Sequence, residues 1–183
     1  MADQIVLQFS TSTALASALI RYATQSPFSH VDLVLPDGNL LGASDQGPHG
    51  NVIKGSSTGV AIRPPDYQEF GIRRQMIVNS DKAGAVISAA MDELGKPFDR
   101  DALKKIVSDK IVRDWRYSGR WFCSELITYC LEKGGYFKRP MIIPKNRITP
   151  ATLILLFNDR PDVVNYDTFL DRVPNLVLGR HEI

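Results

Sequence analysis

The stretch Trp121-Phe122-Cys123-Ser124-Glu125-Leu126-Ile127 joins two aromatic residues and a cysteine to the start of an apolar helical pattern. From Cys123 onward, apolar residues recur at positions 126, 127, 130 and 131, which is the spacing of one buried helical face. Gly134 and Gly135 end this pattern, and the polar segment 116–120, with its Ser-Gly pair, precedes it as a loop. The sequence therefore predicts a helix that carries Cys123 in its first turn.

The first turn of a helix is a favourable place for a reactive cysteine. Its backbone N–H groups have no intrahelical partner, and the helix macrodipole favours a negative charge there. A thiolate carries such a charge, and a lowered pKa is what makes a cysteine a nucleophile. The alternative is that Cys123 is one more buried small apolar residue, as most free cysteines are. A partner histidine would favour the catalytic interpretation.

The composition of the chain sets limits on its class. The 183 residues are 44% hydrophobic and 23% charged, with a formal net charge of +2, which is typical of one globular domain spanning 1–183. There is no basic block, so no nucleic-acid partner is expected. No apolar run has the length of a membrane span, so stable membrane insertion is not expected. The N-terminus lacks a basic region before its apolar part, which predicts a strand and a helix rather than a signal peptide.

The cysteines and histidines indicate a chain without metal or disulfides. Cys123 and Cys130 are seven positions apart on one predicted helix, about 10 Å along its axis, which is too far for a disulfide. Two free thiols favour a reducing compartment, so we expect a cytoplasmic protein and leave open its export without a classical signal. The three histidines do not have zinc-site spacing, so neither a metal nor an organic cofactor is expected.

Hydrophobic periodicity and turn residues predict an α+β order of elements. The predicted strands span 4–9, 29–35, 39–44, 60–63 and 71–78, and the predicted helices span 14–24, 81–94, 99–112, 123–133 and 149–157. Residues 45–59, rich in Gly, Ser and Asp, predict a long exposed loop that borders the cleft, with a short strand around Val52. The segment 162–183 either wraps the surface or adds an edge strand. The sequence does not decide between these alternatives, so 158–183 is described only as a C-terminal extension.

His30 is the histidine best placed to pair with Cys123. It begins a predicted strand directly after the turn at Pro27, where a sheet can present a side chain to a cleft. Thiolate–imidazolium chemistry needs this combination of a helix-start cysteine and a fixed histidine. The alternative is a structural histidine satisfied by one backbone bond. His49, in the predicted loop, and His181, near the C-terminus, are expected to be solvated surface residues.

A Cys–His pair usually needs a third polar group that holds the imidazole in one tautomer. If Asp37 and Gly38 form a two-residue hairpin loop, the numbers of paired residues sum to 75 and His30 faces Asp45. Asp32 shares that side of the sheet. A one-residue bulge would move the partner to Ser44 or Gln46. The register therefore predicts Asp45 as the orienting residue; the alternative is an ordinary aspartate at the start of a loop.

The remaining candidates have structural explanations. Glu125 lies in the first turn of the predicted helix, where a carboxylate stabilises the dipole. Cys130 lies on the apolar side of the helix and is expected in the core. The aromatic residues before the cysteine either pack in the core or wall a substrate groove; they are Trp115, Tyr117, Trp121 and Phe122.

Two segments together resemble a known family. The segment SHVDLVLPDGNLLGAS at 29–44, followed by WFCSELI at 121–127, is similar to the circularly permuted branch of the NlpC-type cysteine hydrolases. This is a papain-like superfamily whose permuted branch includes relatives of lecithin–retinol acyltransferase, and the histidine preceding the cysteine is its mark. The resemblance covers roughly residues 4–155, with further similar segments at 60–67, 95–99 and 147–153.

The resemblance implies a permuted papain-like fold, with a central antiparallel sheet packed against helices. It implies hydrolysis of an amide in a peptide or peptidoglycan-like substrate, with Cys123 as nucleophile and His30 as base. The alternatives are an acyltransferase or a thioester or ester hydrolase with the same dyad and an acyl substrate, or a non-catalytic binding module. The sequence does not indicate the scissile bond or the oligomeric state.

One position departs from the family pattern. In these enzymes the third polar residue lies twelve positions after the histidine, and here that position is Gly42. Glycine has no side chain that could orient an imidazole, and this is the one feature that favours the binding module. If the chain is catalytic, either Asp45, Ser44 or His49 substitutes, or the pair works as a dyad with a water molecule or a backbone group.

Overall fold

The computed structural model describes residues 4–102, 119–138, 148–158 and 160–169, with side chains described up to residue 164. Four helices and seven strands have defined bounds in these ranges. In chain order they are β1 Gln4–Ser12, α1 Leu15–Thr24, β2 His30–Val34, β3 Leu40–Asp45, β4 Lys54–Gly55, β5 Thr58–Arg63, β6 Phe70–Asn79, α2 Ala83–Met91, α3 Cys123–Lys133, α4 Pro150–Phe157 and β7 Val163–Phe169.

The seven strands form one antiparallel sheet in the order β4-β5-β3-β2-β1-β6-β7. Alternate residues along its central strands, such as Leu7, Val31 and Leu41, are fully buried and belong to the main hydrophobic core. Helix α3 packs on β2 and β3, and α2 packs on β1 and on α3. The predicted α+β class and the antiparallel sheet with helices packed against it are confirmed.

The other side of the sheet is also buried, although its residues are polar. Gln8, Asp32 and Arg63 are each at most 3% exposed. The connection from β5 to β6 passes β3, β2 and β1 in the strand order, because β6 lies beyond β1. This connection contributes Tyr67, which forms a second small apolar cluster with Leu40 and Phe70. A polar layer of the sheet is therefore enclosed beneath a chain crossover.

The β2–β3 hairpin differs by one residue from its predicted register. The observed pairs Leu33–Leu41 and Val34–Leu40 sum to 74 rather than 75. The loop has three residues instead of two: the Gly38 N–H donates to the Leu35 carbonyl, and the Leu35 N–H donates to the Asn39 carbonyl. Gly38 has φ +84°, the left-handed residue that closes such a three-residue loop. The two-residue prediction was wrong, and every facing pair along the hairpin moves accordingly.

Several predicted elements change at their ends. The short strand expected around Val52 lies at Lys54–Gly55, and β7 adds an edge strand beside β6, one of the two alternatives left open for the C-terminal segment. Asp99 caps the predicted 99–112 helix by accepting from the N–H groups of Asp101 and Ala102. Most of that helix, the segment 170–183 and His181 lie outside the described residues.

Helix α1 leaves most of its apolar side chains exposed. Ser17 and Ile20 are its buried residues, whereas Leu15, Leu19 and Tyr22 are exposed. No helix among the described residues has the length and hydropathy needed to cross a membrane.

Candidate active site

Cys123 is the first residue of α3 and is 1% exposed. Phe122 before it is extended, and the Phe122 N–H donates to the Glu125 carboxylate at 3.2 Å. Glu125 thus caps the helix from its first turn, the structural role predicted for it. Because this bond fixes where the helix starts, it also fixes the position of the cysteine.

A second contact holds the chain just before the cysteine. The Trp121 N–H donates to the Pro97 carbonyl and the Asp99 N–H donates to the Trp121 carbonyl, each at 3.0 Å. The Trp121 indole also donates to the buried carboxylate of Glu93 at 2.7 Å. The segment 95–99, which sequence similarity had marked only as a connection, therefore fixes the position of the turn that carries Cys123.

Gly59 allows that support to approach the sheet. A Cβ atom at position 59 would lie 2.1 Å from the Lys96 carbonyl oxygen, which no side chain tolerates. The Val60 N–H donates to the same carbonyl at 2.8 Å. The close approach of residues 95–99 to β5 therefore requires glycine at position 59.

His30 begins β2, and its side chain is 14% exposed. Its Nε2 lies 2.9 Å from Asp32 Oδ1 and 3.2 Å from the Tyr67 hydroxyl. The Tyr67 hydroxyl also donates to Asp32 Oδ2 at 3.3 Å. With Nε2 bonded to these two partners, Nδ1 is the ring nitrogen left for the Cys123 thiol.

The surroundings of His30 favour its charged form. Burial by itself lowers the pKa of His30, but the charges of Asp32 and Cys123, together with hydrogen bonds to both, raise it to about 10. The imidazolium is therefore the stable form near neutral pH, beside a thiol at a helix N-terminus. This is the arrangement that stabilises a thiolate–imidazolium pair.

Arg63 places a positive charge near Asp32, the carboxylate that bonds His30. It is fully buried and donates to the backbone carbonyls of Gly42 and Gly59, each at 2.9 Å, and to the more distant carbonyls of Ser44, Ser56 and Ala61. Its guanidinium lies 5.4 Å from the centre of the Tyr67 ring and interacts electrostatically with Asp32. The buried carboxylate of Asp32 therefore has a cation, a hydroxyl and an imidazole around it.

Asp45 does not hold the His30 ring. The register of 74 places Ser44, rather than Asp45, opposite His30 and places Gly42 opposite Asp32. Asp45 instead accepts from Arg100, with Arg100 Nε 2.6 Å from Oδ2 and Nη2 3.2 Å from Oδ1. The predicted contact between Asp45 and the imidazole is thus wrong, because the hairpin loop is one residue longer than assumed.

Cys123 and His30 line one cavity of about 400 Å³. Its wall combines apolar side chains, serine hydroxyls, two amides and one ion pair; besides the dyad these are Ser12, Ala14, Ala16, Ser17, Ile20, Ser29, Ser44, Asp45, Gln46, Gln68, Phe98, Arg100 and Phe122. The predicted loop after β3 contributes Gln46 to this wall. Trp121 and Phe122 both pack in the core, one of the two alternatives expected for them, and Phe122 also lines the cavity.

The other candidate residues differ in their location. Ser44 lines the cavity and accepts from the Gln46 amide, while His49 is exposed on the loop. Cys130 is fully buried, as predicted. Trp115 and Tyr117 lie outside the described residues.

Sequence reasoning missed Tyr67 and Arg63 and undervalued Asp32. Asp32 was recognised as lying on the correct side of the strand, and the correct register would have shown that it has no side chain opposite it. Tyr67 and Arg63 carried no local signal, since the crossover and the pairing of β5 bring them to the site.

Comparison with known proteins gives structural likeness but no sequence match. No protein-family model matches the sequence, and no curated protein sequence matches it. The fold is similar to the crystal structure of the metalloprotein YiiX from Escherichia coli O157:H7, assigned to DUF1105, with a TM-score of 0.59 and 15% identity. The match covers 91% of this chain and 98% of that one. At this identity, the likeness concerns the fold alone.

Proposed function

We propose that the chain is a cysteine hydrolase with a permuted papain-like fold, acting on an amide bond in a peptide or peptidoglycan-like substrate. One observation carries the proposal: a helix-start cysteine and a carboxylate-bonded histidine line the same cavity. The order of the two residues in the chain and the antiparallel sheet packed against helices agree with the resemblance in the motifs.

The dyad supplies the chemistry in two stages. The Cys123 thiolate attacks the carbonyl carbon, and the carbonyl π electrons move to oxygen to give a tetrahedral oxyanion. The Cys123 backbone N–H, in the first turn where it lacks an intrahelical partner, donates to that oxyanion. The His30 imidazolium gives its proton to the leaving amine, and an acyl-enzyme remains.

Water then completes the cycle. Neutral His30 removes a proton from a water molecule, whose oxygen attacks the thioester carbonyl. Collapse of the second tetrahedral intermediate releases the acid and the Cys123 thiolate, and His30 is again protonated. Each proton taken from water or given to the amine passes through His30, so one histidine serves as acid and then as base.

The cavity also suits a second candidate function. Its apolar wall, including Ile20, Phe98 and Phe122, would accommodate an acyl group, which favours acyl transfer or thioester and ester hydrolysis by the same dyad. In that case the acyl-enzyme is attacked by an acceptor other than water, or the leaving group is a thiol or an alcohol. A binding module without chemistry remains the contrasting hypothesis.

YiiX is described as a metalloprotein, so a metal centre is a reasonable question for this chain. Among the described residues, no group of three or more His, Cys, Asp and Glu side chains is arranged to hold a metal ion. The residues around Cys123 therefore do not fit a metal, and the proposed steps use only the chain's own groups.

Incubation with substrate panels tests the proposal directly. The wild-type protein is incubated separately with peptidoglycan fragments, isopeptides and acyl thioesters, and peptide mass spectrometry after quenching follows the mass of the Cys123-containing peptide. A transient acyl adduct on Cys123 with release of an amine supports the amidase, and release of a thiol or alcohol supports the second candidate. Absence of adduct and turnover across all panels, with a Cys123 no more reactive than an ordinary thiol, favours the binding module.

A further inference from the structure

Position 42 and the carboxylate of Asp32 compete for one space. A Cβ atom built on Gly42 would lie 1.9 Å from Asp32 Oδ1 and 3.0 Å from Asp32 Cγ. Asp32 is fully buried, and its carboxylate is held by His30 and Tyr67, so it cannot move aside. Asp32 can therefore occupy this space only because position 42 is glycine.

We infer that Asp32 is the positioning residue of the Cys123–His30 pair, and that it acts from β2 in the space that a side chain at position 42 would otherwise fill from β3. The inference rests on the proposed function only in that it concerns the same dyad. It changes the meaning of Gly42: the glycine does not mark a lost orienting group, but makes room for one that lies on the neighbouring strand.

The geometry gives Asp32 two effects on His30. Its bond to Nε2 fixes the ring plane and the tautomer, so that Nδ1 is presented to the thiol. Its negative charge stabilises the imidazolium, which in turn stabilises the thiolate. The second effect requires a carboxylate, since an amide oxygen at the same place can still accept from Nε2–H but carries no charge.

The groups around Asp32 hold it in this role. Arg63 balances the carboxylate electrostatically from within the sheet while its two Nη groups donate to backbone carbonyls. Burial, and then the charge of Asp32, raise the pKa of Tyr67 well above its ordinary value, so the hydroxyl keeps its proton and donates to Asp32 Oδ2. Neither Arg63 nor Tyr67 lines the cavity. Among these two residues, Asp32 and His30, the His30 imidazole is therefore the side chain that lines the cavity together with Cys123.

The test is the pH profile of Cys123 alkylation by iodoacetamide, read by peptide mass spectrometry, which needs no substrate. Asp32→Asn should raise the pH at which Cys123 becomes reactive, with the rate at about pH 6 falling about tenfold for each unit of that shift. Asp37→Asn is the matched control: the same change in the turn of the same hairpin, where the carboxylate accepts from the backbone N–H and the side-chain amide of Asn39. It should leave the profile unchanged.

Relocation of the carboxylate is the sharper test. The single variant Gly42→Asp should lose reactivity, because two side chains then occupy one space. The double variant Asp32→Gly/Gly42→Asp should recover the wild-type alkylation profile, at least in part. A folded double variant with the profile of an ordinary thiol, or an unchanged profile in folded Asp32→Asn, overturns the inference.

A measurement on the unmodified protein covers the case in which the variants do not fold. Nitrogen-15 NMR of labelled histidines should show the His30 Nε2–H in a strong hydrogen bond and the ring charged well above the ordinary histidine range. An Nε2 that carries no hydrogen-bonded proton overturns the inference. Failure here is distinct from failure of the proposed function: Asp32-dependent alkylation without any turnover would leave the positioning role standing and remove the hydrolase.

Discussion

The two cysteines of α3 lie seven residues apart on one helix, and both are almost completely buried, at 1% and 0% exposure. Their surroundings are opposite. Cys130 packs in the core, where burial first, and then the negative charge of Glu93, raise the pKa of its thiol well above the ordinary value. Cys123 lies at the helix start on the wall of a cavity, beside an imidazole held in its charged form. Burial alone therefore does not decide whether a thiol is inert; the partner and the helix end do.

The largest expected effect comes from removing one thiol or the other. Cys123→Ser should abolish turnover and the acyl adduct, because a serine hydroxyl is not ionised beside an imidazolium. Cys130→Ala should keep turnover and lower the free energy of unfolding by about 1–2 kcal/mol, through the small cavity it leaves. Turnover assays and chemical denaturation check both. Turnover in Cys123→Ser, or its loss in a folded Cys130→Ala, would reverse the roles assigned to the two ends.

Removing the imidazole should make Cys123 behave more like Cys130. His30→Ala should lower turnover by at least about 10²-fold, the lower range for a lost acid–base group. Alkylation of Cys123 near neutral pH should fall with it, since the imidazolium that stabilises the thiolate is then missing. Tyr67→Phe should have a smaller effect in the same direction, because it removes one hydroxyl and leaves the His30–Asp32 bond. Full reactivity of Cys123 in a folded His30→Ala would show that the helix end suffices.

The pH dependence of turnover distinguishes the pair from an ordinary thiol and histidine. The pKa of His30 is raised to about 10, so the imidazolium persists as the pH rises past the usual histidine value and is lost only in the alkaline range. Since the imidazolium protonates the leaving amine, kcat/KM should hold across neutral pH and decline on the alkaline side. A decline centred near pH 6.5 would mean that Asp32 and Cys123 do not stabilise the charge.

A smaller effect, measured as stability, is expected from displacing residues 95–99, which hold the turn that carries Cys123. Gly59→Ala should destabilise the fold by about 1–3 kcal/mol, because its Cβ would overlap the Lys96 carbonyl and displace the segment that bonds Trp121. Gly84→Ala is the matched control: it lies within α2 with nothing within 4 Å of an added Cβ, and alanine there should stabilise by up to about 1 kcal/mol. Thermal unfolding of both variants separates close packing from a general effect of removing glycine.

The two ends of α3 also show what sequence can predict. Periodicity placed Cys130 in the core, and helix-end signals made Cys123 a candidate, because both signals are local; His30 and the family resemblance were needed to prefer a site at Cys123. The partner of His30 was not predictable in the same way. A Pro-Asp-Gly turn closes either a two-residue or a three-residue loop, and this single choice moves the residue opposite His30 from Asp45 to Ser44. Tyr67 and Arg63 reach the site through a crossover and a strand pairing, which no short segment encodes.

The smallest expected effect is that of Asp45→Asn, the change that the two-residue hairpin would have made severe. Asp45 pairs with Arg100, whose side chain is 70% exposed, and exposed ion pairs contribute about 1 kcal/mol or less. Both residues border the cavity, so loss of the pair should appear as a change in KM of less than about tenfold, with the pH profile of Cys123 alkylation unchanged. Asp32→Asn, measured alongside, should show the opposite combination, with kcat and the pH profile altered. If instead Asp45→Asn narrows the pH range of Cys123 reactivity and Asp32→Asn does not, the carboxylate that holds the imidazolium comes from the end of β3, and the hairpin in solution has the shorter loop.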